Sequence, residues 1–281
     1  MKTLGYYNGK FGELHEMTVP MNDRVCYFGD GVYEATLARN YRIYCLDEHI
    51  DRLFSSMAQL SIPAPMSKEE MKEELYRMVR KMDDGDLLVY WQVTRGTGLR
   101  NHAFPEEPCS NLWIALWEGH AADLSEPICL THTEDTRFLH CNIKTLNLIP
   151  SVMASQKAKE LGVSECVFHR GDIVTECAHS NIHILKNGVF ITHPADCYIL
   201  PGIARKNLLD YCRQNGIPTE ERPFTMEELY DADEVIVSSS GSFALRALKM
   251  DERDIGGKDE QLMKRLQDAM NAHYYEQTEG R

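Results

Sequence analysis

His140-Cys141-Asn142-Ile143-Lys144-Thr145-Leu146-Asn147-Leu148-Ile149 holds one lysine and no other Lys, Arg, Asp or Glu. Apolar residues flank Lys144 on both sides. Partial removal from water disfavours the ammonium form and leaves an amine that can attack a carbonyl or take up a proton, the chemistry of a Schiff-base lysine. The competing reading is a lysine that lays its stem along apolar surface and returns its head group to water. The ten residues do not separate the two; the surrounding chain has to.

With 281 residues, 43% hydrophobic and 26% charged, the chain has the make-up of one large or two ordinary globular domains. A net charge of -13 argues against nucleic acid and anionic membrane as partners, because both require basic surface. An anionic small molecule stays admissible where positive charge is gathered locally. Met1–Asn8 leads straight into polar sequence and does not read as a secretory signal, and apolar runs such as Leu112–Trp117 are strand-sized. The nine cysteines are scattered, with no CxxC or close Cys/His set, so no metal is expected. They read as reduced core residues of a cytoplasmic protein.

Periodicity predicts alternating strands and helices in both halves. Arg42–Leu46 reads as a short strand, followed by an amphipathic helix carrying Ile50, Leu53, Phe54, Met57 and Leu60. Ser67 with Glu70 forms a capping box for a second helix, with Met71, Leu75, Met78, Val79 and Met82 on one face. Strands are predicted at 87–94, 112–117, 128–133, 165–169, 173–175, 180–185, 189–192 and 234–237. Helices are predicted over about 151–161, ended by Gly162, over about 203–215, and at the C-terminus through Leu262, Met263, Leu266, Met270 and Tyr274. Lys186-Asn187-Gly188 is a hairpin turn. The polar stretch 119–127 suggests a junction between a small N-terminal α/β domain, 1–120, and a larger C-terminal domain, 121–281, with a mixed or antiparallel sheet.

Two places suit an anion. At Leu200-Pro201-Gly202-Ile203-Ala204-Arg205 a tight turn feeds a helix whose first N–H groups sit at its positive end. At Val237-Ser238-Ser239-Ser240-Gly241-Ser242 a strand runs out into small hydroxyl residues. Arg52 offers either a guanidinium contact to the same anion or an idle pair with Glu48 one turn back. Arg100-Asn101-His102 could hold a carboxylate, or be solvated loop charge. Glu176 ends a strand, and facing inward it needs a cationic partner.

Taken together, Tyr27-Phe28-Gly29-Asp30-Gly31-Val32-Tyr33-Glu34, Glu48–Leu53, Ile143–Asn147, Val174-Thr175-Glu176, Ser180-Asn181 and Leu200–Ile203 resemble the fold-type IV pyridoxal-phosphate enzymes. That family includes branched-chain aminotransferases, D-amino-acid aminotransferases and aminodeoxychorismate lyases. The resemblance runs through nearly the whole chain. The Arg100-x-His102 loop is similar to the carboxylate trap of the D-amino-acid subgroup.

The resemblance implies transamination of D-amino acids, typically D-alanine with 2-oxoglutarate giving pyruvate and D-glutamate. It implies pyridoxal 5'-phosphate as cofactor, held by Lys144 as a Schiff base, with the freed amine moving the proton between Cα and the cofactor's C4′. Glu176 would pair with the pyridine nitrogen. Arg52, the backbone of Ile203 and Ala204, and Ser239 with Ser240 would hold the phosphate. Tyr33, Arg100 and His102 would fix the substrate carboxylate, the last two reaching in from the neighbouring subunit of a homodimer with shared active sites. The lysine is expected in the C-terminal, cofactor-binding domain. Ala204 stands where a threonine is common, leaving that contact to the backbone, and His179 could narrow or polarise the pocket. Alternative activities are an L- or branched-chain aminotransferase and the lyase; a more distant one is a cofactor-free binding protein on the same fold.

Overall fold

The computed structural model describes residues 1–107 and 109–279. Gly280 and Arg281, the end of the expected second domain, lie outside the described residues. The chain forms two compact units: Met1–Ala121 with Ile143–Asn147 and Tyr274–Arg281, and Ala122–Asn142 with Leu148–His273.

The first unit contains β1 (Leu4–Tyr7), β2 (Lys10–Gly12), α1 (Arg24–Phe28), β3 (Gly31–Arg39), β4 (Arg42–Ile43), α2 (Leu46–Gln59), α3 (Lys68–Val79), β5 (Leu87–Thr94) and β6 (Asn111–Glu118). Its sheet is antiparallel throughout, in the order β2-β1-β6-β5-β3-β4. Alternation along β5 sends Leu87, Val89, Trp91 and Val93 into one core with Val32, Ile114 and Leu116. Ile50, Leu53 and Met57 of α2 and Met71, Leu75 and Met78 of α3 close that core. The capping box of α3 forms as expected: Ser67 Oγ accepts from Glu70 N at 3.2 Å, and Glu70 Oε2 accepts from Ser67 N at 2.8 Å.

The strand expected over 42–46 stops at Ile43, because Cys45 turns to φ 49° and Leu46 already opens α2. The strand β3, not foreseen, is the structural centre of the unit. Along one edge it pairs with β5 from Gly31 to Ala38. On the other, β4 reaches only Ala38 and Arg39. The open half of that edge is taken by the lysine segment: Tyr33 N donates to Lys144 O at 3.0 Å, Leu146 N donates to Gly31 O at 3.1 Å, and Thr145 bridges to Val32. Lys144, expected on the second domain, is therefore carried by the first unit.

The second unit contains β7 (Ile128–Glu134), α4 (Ile149–Leu161), β8 (Glu165–Arg170), β9 (Ile173–Cys177), β10 (Asn181–Lys186), β11 (Val189–Thr192), α5 (Ile203–Gln214), β12 (Thr219–Glu221), β13 (Phe224–Thr225), α6 (Met226–Asp231), β14 (Glu234–Ser238), β15 (Leu245–Met250) and β16 (Arg253–Asp254). The final helix, α7 (Glu260–Thr278), belongs to it up to His273. Its mixed sheet runs β12-β11-β10-β14-β15-β7-β8-β9-β13, with β16 beside β15. One face is apolar, with Leu130, Val167, Val174, Ile182, Ile184, Val235 and Val237 in a common core. Asn187 (φ 50°) and Gly188 (φ 75°) make the hairpin turn between β10 and β11. Pro150 sits in the first turn of α4, where its missing N–H costs nothing, and Gly162 ends that helix at φ 69°. Among the described residues, no helix is long and apolar enough to cross a membrane.

Candidate active site

The first unit presents Lys144 half-buried, with both backbone polar groups fixed: its carbonyl takes Tyr33 N, and its N–H donates to Ser56 Oγ at 3.3 Å. The side chain is left to place its amine, which lies 4.3 Å from the centre of the Tyr33 ring. Tyr33 in turn stacks on Tyr90 at 5.6 Å.

Behind this pair is a buried carboxylate. Glu34 Oε1 accepts from Arg52 Nε at 2.8 Å, and its Oε2 accepts from Arg52 Nη2 at 2.7 Å and meets His49 Nδ1 at 2.7 Å. Burial alone would raise the Glu34 carboxyl, but the Arg52 guanidinium and His49 bring it down to about 2. Burial lowers His49, and the positive charges of Arg52 and Lys144 add to that against the pull of Glu34. An ionised Glu34 only accepts, so the neutral imidazole carries its proton on Nδ1. Arg52 is thus not idle. Its fork is oriented by a carboxylate eighteen positions earlier, through the α2–β3 packing.

The loop after β5 brings Arg100 and His102 to one ring. Arg100 lies 5.3 Å and His102 5.2 Å from the centre of Phe28, and both are exposed. Arg24 holds the loop from below, donating through Nη1 to Asn101 O at 2.7 Å and to Ala103 O at 3.2 Å. Asp30 ties Arg24 to Arg95, whose other nitrogens donate to Leu60 O and Ser61 O. Of the three residues expected to hold a carboxylate, Arg100 and His102 come together on Phe28, whereas Tyr33 is placed with Tyr90 and Lys144.

The second unit places Glu176 at the end of β9, buried, with both oxygens engaged. Arg137 Nη1 donates to Oε1; Asn181 Nδ2 and Leu200 N donate to Oε2 at 2.9 and 3.1 Å. Burial pushes the carboxyl up, while Arg137 and the Leu200 N–H oppose it. Arg137 is itself locked, with Nε and Nη2 on Asp135 at 2.9 and 2.8 Å and Nη2 also on Tyr198 O. The same Asn181 amide donates to Leu200 O at 2.9 Å, which fixes the turn leading into α5.

Gly202 is required there, since a Cβ would fall on Asn181 Oδ1. As N-cap of α5 it offers no side chain to the first-turn N–H groups of Ile203 and Ala204. After β14, Ser239 Oγ meets Ser242 Oγ at 2.7 Å and accepts from Gly241 N at 3.3 Å, closing a tight hydroxyl-rich loop that includes Ser240. His179 points its Nδ1 at Glu165 Oε2 at 3.0 Å, an oxygen that also accepts from Ser180 Oγ.

Sequence reading passed over Arg137, Asn181 as a ligand of Glu176, and the Glu34–His49 pair. Glu34 and His49 lay inside stretches already singled out, but Arg137 follows Asp135 in an irregular loop, where no periodicity marks it.

The first unit thus carries an amine on a pinned backbone, and the second carries a buried carboxylate with fixed donors, a helix N-terminus without a side-chain cap and a hydroxyl-rich loop. Residues 31–249 match the model of the amino-transferase class IV family, and the chain belongs to that family. It is 40% identical over 238 residues to a D-alanine aminotransferase of Listeria monocytogenes serotype 1/2a (strain 10403S), covering 83% of this chain and 82% of that one. A Bacillus licheniformis D-alanine aminotransferase is 36% identical over 273 residues, 96% of each chain. Among solved structures, the branched-chain amino acid aminotransferase from Escherichia coli superposes with a TM-score of 0.88 at 21% identity, over 100% of this chain and 97% of that one. At that identity the likeness establishes the fold.

Proposed function

We propose that this chain is a D-amino-acid transaminase that uses pyridoxal 5'-phosphate, converting D-alanine and 2-oxoglutarate to pyruvate and D-glutamate. The observation that carries the reading is the likeness to D-alanine aminotransferases, up to 40% identity over most of both chains. The donor set fits the cofactor: a primary amine, a buried carboxylate with fixed partners, and a helix N-terminus and hydroxyl loop for a dianion. When bound, the cofactor supplies the electron sink for the bond-breaking at Cα.

In this reading the Lys144 amine would hold the cofactor covalently and, once freed, would take and return the substrate Cα proton, from a backbone fixed by Tyr33 and Ser56. Glu176, held by Arg137 and Asn181, accepts the ring N–H. Ile203 and Ala204 donate backbone N–H groups to the phosphate, Ser239 and Ser240 add hydroxyl donors, and Arg52 adds charge from an orientation set by Glu34. Tyr33, Arg100 and His102 hold the substrate carboxylate, the last two across a homodimer. In this reading the second unit is the main cofactor-binding domain, and the protein works in the cytoplasm.

Supplying D- and L-alanine separately with 2-oxoglutarate tests the assignment. Pyruvate should form from the D-isomer; pyruvate from the L-isomer alone would overturn it.

A further inference from the structure

On the face of the second sheet opposite its apolar core, a buried histidine has no part in the chemistry above. His183 lies on β10, two residues after Asn181, and is fully buried. Its Nε2 is 2.8 Å from Ser238 Oγ and its Nδ1 is 2.8 Å from Thr192 Oγ. Thr192 is its direct cross-strand neighbour on β11, and Ser238 closes β14 immediately before Ser239. Thr192 Oγ also accepts from Arg205 Nε at 3.2 Å, and Arg205 follows Ala204 in the first turn of α5. Arg205 is anchored further by His193 O at 2.8 Å and Glu221 Oε2 at 2.7 Å. The result is one buried chain, Ser238–His183–Thr192–Arg205, whose ends are the residues adjoining the two proposed phosphate-binding segments.

We propose that His183 is a positioning residue for the cofactor phosphate, joining the Ser238–Ser240 end of β14 to the N-terminus of α5 so that both sets of donors meet the same dianion. The inference rests on the cofactor reading given above. An imidazole suits the link because it donates from one nitrogen and accepts at the other, so it can bridge two hydroxyl groups without bringing a charge into the core. Burial, with the nearby Arg205 cation adding to it, keeps His183 well below the ordinary histidine range. Asn181 supports the same geometry from the neighbouring position, since its amide holds Leu200 O at the entrance to the α5 turn. Two residues of one strand thereby set both anion-binding segments, and donors placed in this way need no rearrangement to receive the phosphate.

The test compares two aldehydes that differ only in the phosphate. Apo-protein is titrated with pyridoxal phosphate and, separately, with pyridoxal, and uptake is followed by the absorbance of the bound chromophore. In His183→Phe the Kd for pyridoxal phosphate should rise by about tenfold, the effect of one lost neutral hydrogen bond, while the Kd for pyridoxal stays unchanged. His183→Gln, whose amide again donates toward Ser238, should recover part of the loss. The phosphorus NMR resonance of bound pyridoxal phosphate should move in His183→Phe and return toward the wild-type position in His183→Gln.

Equal weakening of both aldehydes would show a general packing defect and overturn the proposal, as would an unchanged Kd for pyridoxal phosphate. If His183→Phe does not fold, Thr192→Val breaks the same chain one link away and should show the same phosphate-selective loss. Wild-type protein that takes up no pyridoxal phosphate overturns both this inference and the cofactor reading. Uptake by the wild type with no selective loss in the variants overturns this inference alone.

Discussion

Arg137 donates through Nη1 to Oε1 of Glu176, so the carboxylate at the end of β9 has a fixed cation inside its own unit. Glu176 is buried and Arg137 nearly so, and removing Arg137 leaves Glu176 with the Asn181 and Leu200 donors but without its cation. Arg137→Met should lower the stability of the folded chain by about 3–5 kcal/mol, read by denaturant unfolding. The double variant Arg137→Met with Glu176→Gln should regain part of that loss, because the orphaned charge is gone. A single variant within about 0.5 kcal/mol of wild type, the range of an ordinary surface change, would mean that the pair is not the anchor described.

Lys144→Ala should leave the fold intact, since the segment is held to β3 by its backbone: Tyr33 N to Lys144 O and Leu146 N to Gly31 O. Covalent trapping of pyridoxal phosphate by borohydride, followed by mass spectrometry, should fail in this variant. Turnover should also be nearly abolished. Normal turnover without Lys144 would sink the functional assignment.

Arg100→Ala removes one of the two guanidinium groups over Phe28, the other being that of Arg24. Because Arg100 is exposed and Arg24 holds the loop backbone, folding should be unaffected. The KM for D-alanine should rise by roughly tenfold or more, as for loss of a charge-assisted contact, with kcat changing less. Steady-state kinetics with an unchanged KM would remove this loop from substrate binding.

Stability should fall on the acid side in two stages. His183 and His49 lie below the ordinary histidine range when folded. Below about pH 6.5, therefore, the unfolded chain binds protons that the folded chain does not, and stability declines as pH drops. Glu34 adds the second stage. Its folded value of about 2 against an ordinary 4.5 stabilises the fold above the unfolded value, and this is lost as pH falls through about 2. That contribution is on the order of 3 kcal/mol. Urea unfolding across pH 7 to 2 should show both declines, and Glu34→Gln should flatten the lower one while deepening the part of the upper one due to His49.

Gly202→Ala places a methyl group against Asn181 Oδ1. The displaced amide would loosen its bonds to both Glu176 and Leu200 O. A lower Tm together with weaker cofactor uptake is expected. A variant that melts with wild type and binds normally would show that the turn has room the geometry denies.

The local elements were legible because they depend on near neighbours in the chain. The Ser67–Glu70 capping box, the Asn187-Gly188 turn, the Gly162 helix end and the apolar stripes of α2 and α3 are spacing rules within a few residues, and all of them form. β3 was not read as a strand because Gly31, Tyr33, Glu34 and Thr36 break the simple alternation. Its face toward α2 carries the buried Glu34, which no pattern of apolar residues marks.

The sequence by itself singled out the candidate groups: an amine at 144, a carboxylate at 176, and turns suited to an anion at 200–205 and 237–242. It also carried the resemblance that defined the family. Tertiary structure alone decided their partners. The lysine segment fills the open edge of β3 and so belongs to the first unit; Arg52 is aimed by Glu34; Glu176 is paired by Arg137; and His183 reaches Ser238 on the neighbouring strand. The reason is physical. A buried polar group must be matched by whatever donor or acceptor the packing brings beside it, and strand pairing brings together residues whose separation along the chain follows no rule readable in the sequence.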